Sequence, residues 1–224
     1  MENDQMLEEL CLWECIDAGI PISQVMDAHI GPAIDCLKYY ASLAMSSADG
    51  ISGTGRVVDT PDAGGGRESF CFTRREPLGV CVGIGAWNYP LSILMLKLAP
   101  ALACGNTFIF KPSECTPITA IKLAHIFEKA GLPRGVFNVL PGDRSTGALL
   151  TKHDLVSKVS FTGSTQTGIK ISQDAATTLK RVTMELGGKS PIIIFEDCDL
   201  DEGVSAAIMA NFVNNGQVCT NGTR

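Results

Sequence analysis

Val80-Cys81-Val82-Gly83-Ile84-Gly85-Ala86-Trp87-Asn88-Tyr89-Pro90 begins as an unbroken apolar run, passes through a glycine-rich turn and ends on the proline that opens an amphipathic segment at roughly 91 to 104. A short continuous apolar run is the pattern of a strand buried on both faces, and proline suits the first turn of the helix that follows. The alternation then repeats. Strands are expected at Thr107-Phe108-Ile109-Phe110, Val136-Phe137-Asn138-Val139-Leu140, Lys158-Val159-Ser160-Phe161 and Pro191-Ile192-Ile193-Ile194-Phe195, with helical patterns near 117 to 130, 145 to 152, 167 to 179 and 201 to 214. Apolar strands separated by helices imply an α/β fold, a doubly wound parallel sheet covered on both faces. Such sheets bind ligands beyond the carboxyl ends of their strands, so the loops there are where chemistry is sought.

Upstream, Leu7, Leu10, Leu12 and Ile16, then Ile34, Leu37, Tyr40 and Ala44, fall at helical spacing, broken near Gly19-Ile20-Pro21. Residues 1 to 48 are read as N-terminal helices. From Asp49 the composition turns to Gly, Thr, Ser and Asp, and Gly64-Gly65-Gly66 precedes the strand-like Ser69-Phe70-Cys71-Phe72-Thr73-Arg74. A protruding β-hairpin or arm over 49 to 76 fits this stretch.

Lys and Arg total 18 against 24 Asp and Glu, a formal net charge of -6 that offers phosphate backbones and anionic lipid no general attraction. No nucleic-acid partner is expected. The acidic N-terminus lacks the form of a secretory signal, and the apolar stretch Leu91 to Cys104 is interrupted by Lys97 and Pro100, so no membrane span is expected either. The nine cysteines are odd in number, irregularly spaced and without a Cys-x-x-Cys pair, and the three histidines are scattered. Reduced core thiols in a cytoplasmic protein, with no metal site, is the reading.

Five loops and turns carry candidate groups. Thr162-Gly163-Ser164-Thr165-Gln166-Thr167-Gly168 joins a strand to a helix start, where backbone amides and the helix dipole favour phosphate. A P-loop would need Lys directly after its second glycine, and Gly168 is followed by Ile169. Asn88 offers an amide donor to a developing oxyanion, though a helix-capping role explains it as well. Lys111-Pro112-Ser113-Glu114 holds a cation and an anion on one turn, and such pairs on a surface are commonly only solvated. In Glu185-Leu186-Gly187-Gly188-Lys189 a carboxylate in a partly dry site would serve as general base, while a plain Gly-Gly turn is the structural alternative. Cys219, in Asn215-Gly216-Gln217-Val218-Cys219-Thr220, follows a polar glycine-containing loop, where a thiol is open to substrate.

Taken together, Trp87-Asn88-Tyr89-Pro90, Lys111-Pro112-Ser113-Glu114, Phe161-Thr162-Gly163-Ser164, Glu185-Leu186-Gly187-Gly188-Lys189 and Gly216-Gln217-Val218-Cys219 stand in the order and spacing of the aldehyde dehydrogenase superfamily. Within it, Arg74-Arg75-Glu76-Pro77-Leu78-Gly79-Val80 and Met209-Ala210-Asn211-Phe212 resemble the betaine aldehyde and 4-trimethylaminobutyraldehyde branch. The resemblance implies a Rossmann-like NAD-binding domain over 77 to 200 and the start of a catalytic region over 201 to 224, with the catalytic domain itself absent and the chain truncated at its C-terminal side. It implies oxidation of a small-molecule aldehyde to a carboxylic acid. Cys219 would attack the carbonyl, Asn88 and the Cys219 N–H would hold the oxyanion of the thiohemiacetal, and Glu185 would activate water against the thioester. Lys111 and Glu114 would bind the adenosine ribose of the cofactor, Gly163, Ser164, Thr165, Gln166 and Thr167 its pyrophosphate, with Trp87 beside them.

A carboxylate beside the ribose 2′ position repels a 2′-phosphate, which favours NAD over NADP. A homo-oligomer is implied for a complete chain. Two departures matter. Leu96 stands where trimethylammonium-aldehyde members carry Trp, removing an aromatic wall, and a truncated chain retaining only nucleotide binding is the alternative to an active enzyme.

Overall fold

The computed structural model describes residues 2–45, 54–59 and 70–222. Helix α1 (Glu2–Ala18) ends on Gly19, whose φ of +68° is the left-handed conformation that closes helices and whose N–H bonds to Cys15 O at 2.9 Å. Pro21 prevents continuation. A short α2 (Ile22–Gln24) leads into a π-helical segment (Val25–Ile30) and α3 (Gly31–Met45), which packs on the core through Ala33, Ile34 and Leu37. Strands β1 (Thr54–Asp59) and β2 (Phe70–Arg74) pair antiparallel, as expected of the arm. The tip of that arm and Ser69 lie outside the described residues.

The remaining elements are β3 (Val80–Ile84), α4 (Pro90–Ala103), β4 (Thr107–Lys111), α5 (Ile118–Lys129), β5 (Phe137–Val139), α6 (Arg144–Lys152), β6 (Val156–Gly163), α7 (Thr165–Ala176), β7 (Arg181–Leu186) and α8 (Leu200–Phe212). The sheet order is β5-β4-β3-β6-β7, every pair parallel. From β3 the chain winds one way to β5, then returns to place β6 on the other side of β3. The order therefore reverses between β3 and β6, and the crevice above that point is where such a sheet takes ligands.

Alternation along each strand builds two cores. Cys81, Phe108 and Phe110 face α1, α3, α4 and α5 with Leu91, Leu94, Leu98 and Ile30, while Val82, Ile84, Val159 and Phe161 face α6 and α7 with Ile171. A Cβ on Gly83 would collide with the ring of Phe108, and one on Gly85 with the ring of Phe110. These two glycines make room for phenyl rings.

One strand was expected in the wrong place. Pro191 to Phe195 joins no ladder among the described residues, and Ile193, Ile194 and Phe195 are exposed. The fifth strand is β7 instead. It alternates Val182, Met184 and Leu186 with Arg181, Thr183 and Glu185, and Met184 and Leu186 pack on the α7 side. Looking for continuous apolar runs passes over a strand buried on one face only. Helix α8 starts at Asp199, whose carboxylate accepts the Glu202 N–H at 3.0 Å, yet Leu200, Ile208, Met209 and Phe212 lie exposed along it. Ile193, Ile194 and Phe195 are exposed as well, and exposed large apolar side chains in such number are a feature of contact faces.

Candidate active site

Two loops flank the switch point: residues 85 to 89 after β3, and the turn from Gly163 into α7. A cavity of about 420 Å³ opens between them and the Lys111 turn. Trp87, Lys111, Glu114, Gly163, Ser164 and Thr167 line it. Gln166 faces an adjoining shallow pocket with Arg144 and Lys170, and Thr165 lines neither space. Lys111 is 7% exposed. Burial pulls its pKa down, and the Glu114 and Asp143 carboxylates oppose that pull. Asp143 caps α6, and hydrogen bonds from Ser145 Oγ at 2.6 Å, Ser145 N and Thr146 N hold its carboxyl below the ordinary range.

At the α7 start, Ser164 Oγ accepts the Thr167 N–H at 3.3 Å and donates to Thr167 Oγ1 at 2.9 Å, an N-cap arrangement. Glycine at 163 would let a ligand approach the backbone. A Cβ there would strike the ring of Phe161, so the residue is already demanded by the chain's own packing.

A second cavity of about 740 Å³ shares Ala86, Trp87, Thr162, Gly163 and Ser164 with the first, so the two adjoin along those residues. Asn88, Glu185 and Cys219, far apart in sequence, all line it. Asn88 Nδ2 donates to Gln217 O at 2.8 Å, which ties the β3 loop to the loop carrying the thiol. Cys219 is exposed, and its carbonyl accepts Ser190 Oγ at 3.2 Å. Burial raises the pKa of the Tyr89 phenol, and the neighbouring Cys219 charge raises it further. Glu185 sits at the carboxyl end of β7 and is exposed, so the partly dry setting expected for it is not supplied by the described residues. Among those residues no group of three or more His, Cys, Asp and Glu side chains could hold a metal ion.

Lys97 escaped the sequence reading, although a lysine interrupting the apolar run of α4 was the signal. It is 7% exposed, lines the second cavity, and donates from Nζ to Ser160 Oγ at 3.2 Å. Burial lowers its pKa to about 8 while the Glu185 carboxylate pulls it back up. The unfolded lysine, at its ordinary 10.5, holds its proton to higher pH, so the folded state is penalised below pH 8 and gains stability as pH rises from about 8 to 10.5. The gap corresponds to roughly 3 kcal/mol at most. Lys97→Met should therefore be more stable than the wild type at pH 7, with the difference shrinking by pH 10. Urea midpoints at the two pH values measure this, and a difference independent of pH would contradict it.

The chain is similar to known proteins along nearly its whole length. The model of the aldehyde dehydrogenase family matches residues 2–224. Betaine aldehyde dehydrogenase of Vibrio vulnificus (strain YJ016) is 52% identical over 217 residues, which are 97% of this chain and 42% of that protein. An aldehyde dehydrogenase from Bacillus cereus, solved as its NAD+ complex, superposes with a TM-score of 0.86 at 37% identity, covering 98% of this chain and 43% of that one. An NADP-dependent enzyme from E. coli gives a TM-score of 0.86 at 33% identity, covering 99% and 44%. The chain thus spans about two fifths of the length of the relatives it matches.

Proposed function

The chain belongs to the aldehyde dehydrogenase family, and from that premise we propose that it carries the nucleophile and the cofactor site for NAD-dependent oxidation of an aldehyde to a carboxylic acid. The observation that carries this reading is the sharing of one cavity by Cys219, Asn88 and Glu185, adjoining a second lined by Lys111, Glu114 and the α7 N-terminus. The Cys219 thiolate attacks the carbonyl carbon, forming a C–S bond and an oxyanion. An amide NH₂ has two hydrogens. One N–H of Asn88 is held by Gln217 O, and the other, with the Cys219 backbone N–H, holds the oxyanion. When bound, NAD supplies the hydride acceptor. Glu185 then takes a proton from water as that water attacks the thioester carbon, and the thiolate leaves.

The residues fit the cofactor on their own chemistry: a nearly buried lysine beside a carboxylate at one end, and a capped helix N-terminus for phosphate at the other. One relative is solved with NAD+ and another is NADP-dependent, so the choice lies in local charge. Glu114 sets it here. In a fluorescence titration NAD should bind about tenfold tighter than NADP, and Glu114→Gln should narrow the ratio. NADP binding as tight as NAD to the unaltered protein would refute this assignment.

The aldehyde occupies a cavity whose wall at Leu96 is aliphatic and exposed. A quaternary ammonium substrate finds no aromatic face at that position, and the aromatic side chains of the cavity are Trp87 and Tyr89. A second reading has its own support in the exposure of Glu185 and of the α8 apolar face. These 224 residues by themselves are expected to bind NAD weakly and to turn over negligibly. Substantial aldehyde-dependent NADH formation by the purified 224-residue chain would overturn that expectation.

A further inference from the structure

Three fully buried polar side chains lie outside the two cavities and have no part in the chemistry above. Glu14 on α1 and His29 in the π-helical segment are 0% exposed, and Asn214, in the turn after α8, is 1% exposed. His29 Nδ1 lies 3.0 Å from Glu14 Oε1, and His29 Nε2 lies 3.4 Å from Asn214 Oδ1. Asn214 Nδ2 donates to Asn88 O at 2.9 Å and to Gln217 O at 3.5 Å. Glu14 Oε1 also accepts the Leu91 N–H at 3.2 Å, Ser92 Oγ donates to His29 O, and the His29 ring packs on Tyr89 with centroids 4.4 Å apart. Every branch ends either on the 88 to 92 segment or on the turn that leads to Cys219.

Asn214 Nδ2 faces two carbonyls, so its Oδ1 faces His29 and accepts from Nε2. The other ring nitrogen, Nδ1, faces the Glu14 carboxyl group. The ring is thus held from both sides. The turn it grips is strained: Asn214 and Asn215 both have positive φ, 51° and 57°. Left-handed non-glycine residues persist where surrounding contacts over-determine them, and the His29 link is such a contact.

We propose that Glu14, His29 and Asn214 form a positioning relay that sets the Asn88 amide against the Cys219 loop. The proposal rests on the reading of Asn88 and Cys219 given above. His29 acts through Asn214 and touches no substrate.

Two measurements on the 224-residue chain test the relay without requiring turnover. In long-range ¹H–¹⁵N spectra of its three histidines, His29 Nε2 should carry a proton, as the Asn214 Oδ1 opposite it requires. An unprotonated Nε2 overturns the proposal. In a timed iodoacetamide reaction read by peptide mass spectrometry, His29→Leu should change the alkylation rate of Cys219 by about tenfold while exposed Cys115 keeps its rate, and His29→Gln, which retains a donor, should recover part of the difference. Equal rates at Cys219 in all three proteins, or a parallel change at Cys115, overturn it.

In the protein expressed from its full coding sequence, His29→Leu should lower kcat by about ten- to a hundredfold with the KM for NAD little changed, and its effect should not multiply with that of Asn88→Ala. Fully multiplicative effects count against the relay. Absence of any aldehyde oxidation would instead refute the proposed function, leaving the ring spectrum and alkylation rates to decide the relay.

Discussion

Replacing Cys219 by alanine should lower aldehyde-dependent NADH formation by at least about a thousandfold in the protein expressed from its full coding sequence. The size follows from the kind of step removed. Without the thiolate no C–S bond forms, the aldehyde is never held as an adduct, and the remaining donors stabilise an oxyanion that does not arise. Cofactor affinity should change little, because Cys219 lines the larger cavity and not the one holding Lys111 and Glu114. Cys198 supplies the internal control, being an exposed thiol outside both cavities, and Cys198→Ala should retain activity. An active Cys219→Ala protein would remove the nucleophile from the proposal entirely. A protein with lost activity and lost NAD binding would point to misfolding, which circular dichroism and the thermal midpoint check.

How much of this could be read beforehand depended on how each element is buried. β3, β4 and α4 to α8 announce themselves because a strand covered on both faces must be apolar throughout and the helices between must be amphipathic. β7 did not, because Arg181, Thr183 and Glu185 face away from α7 and break the apolar run. Pro191 to Phe195 misled for the complementary reason. Its composition suits a buried strand, but a strand also needs a neighbour, and none is present among the described residues. The site residues were found by loop position and resemblance, and the structure brings Asn88, Glu185 and Cys219 to one cavity across 131 positions of sequence. Lys97 and the Glu14–His29–Asn214 set were missed because a single polar residue gives no periodic signal in its own segment. Their meaning appears only once the partners are seen.

The glycines carry a similar lesson. At Gly83, Gly85 and Gly163 the rings of Phe108, Phe110 and Phe161 occupy the space a side chain would need. Packing and ligand approach select the same residue, so glycine in a switch-point loop is weaker testimony to nucleotide binding than its position suggests. The stronger testimony is the pairing of Lys111 with Glu114 at one end of the cavity and the Ser164 cap at the other, since neither is required for the sheet to close.

Glu185→Gln separates the two halves of the reaction. An amide of nearly the same size cannot take a proton from water, so thioester hydrolysis should slow by about 10²- to 10⁴-fold, while the first turnover, which needs only the thiolate and bound NAD, should persist. Stopped-flow absorbance should then show a burst of NADH close to one per site followed by a slow steady state. Loss of burst and steady state together would make Glu185 a partner of the nucleophile, and an unchanged steady state would exclude it as the base. The same substitution has a consequence that needs no substrate. The Glu185 carboxylate now holds the Lys97 pKa up to about 8 against burial. Without it the folded-state value must fall further below the ordinary 10.5, and the pH range over which stability rises must extend downward from pH 8. A denaturation series from pH 6 to pH 10 on Glu185→Gln, compared with Lys97→Met, would show whether carboxylate and ammonium interact across the cavity. Identical pH profiles for Glu185→Gln and the unaltered protein would mean that they do not.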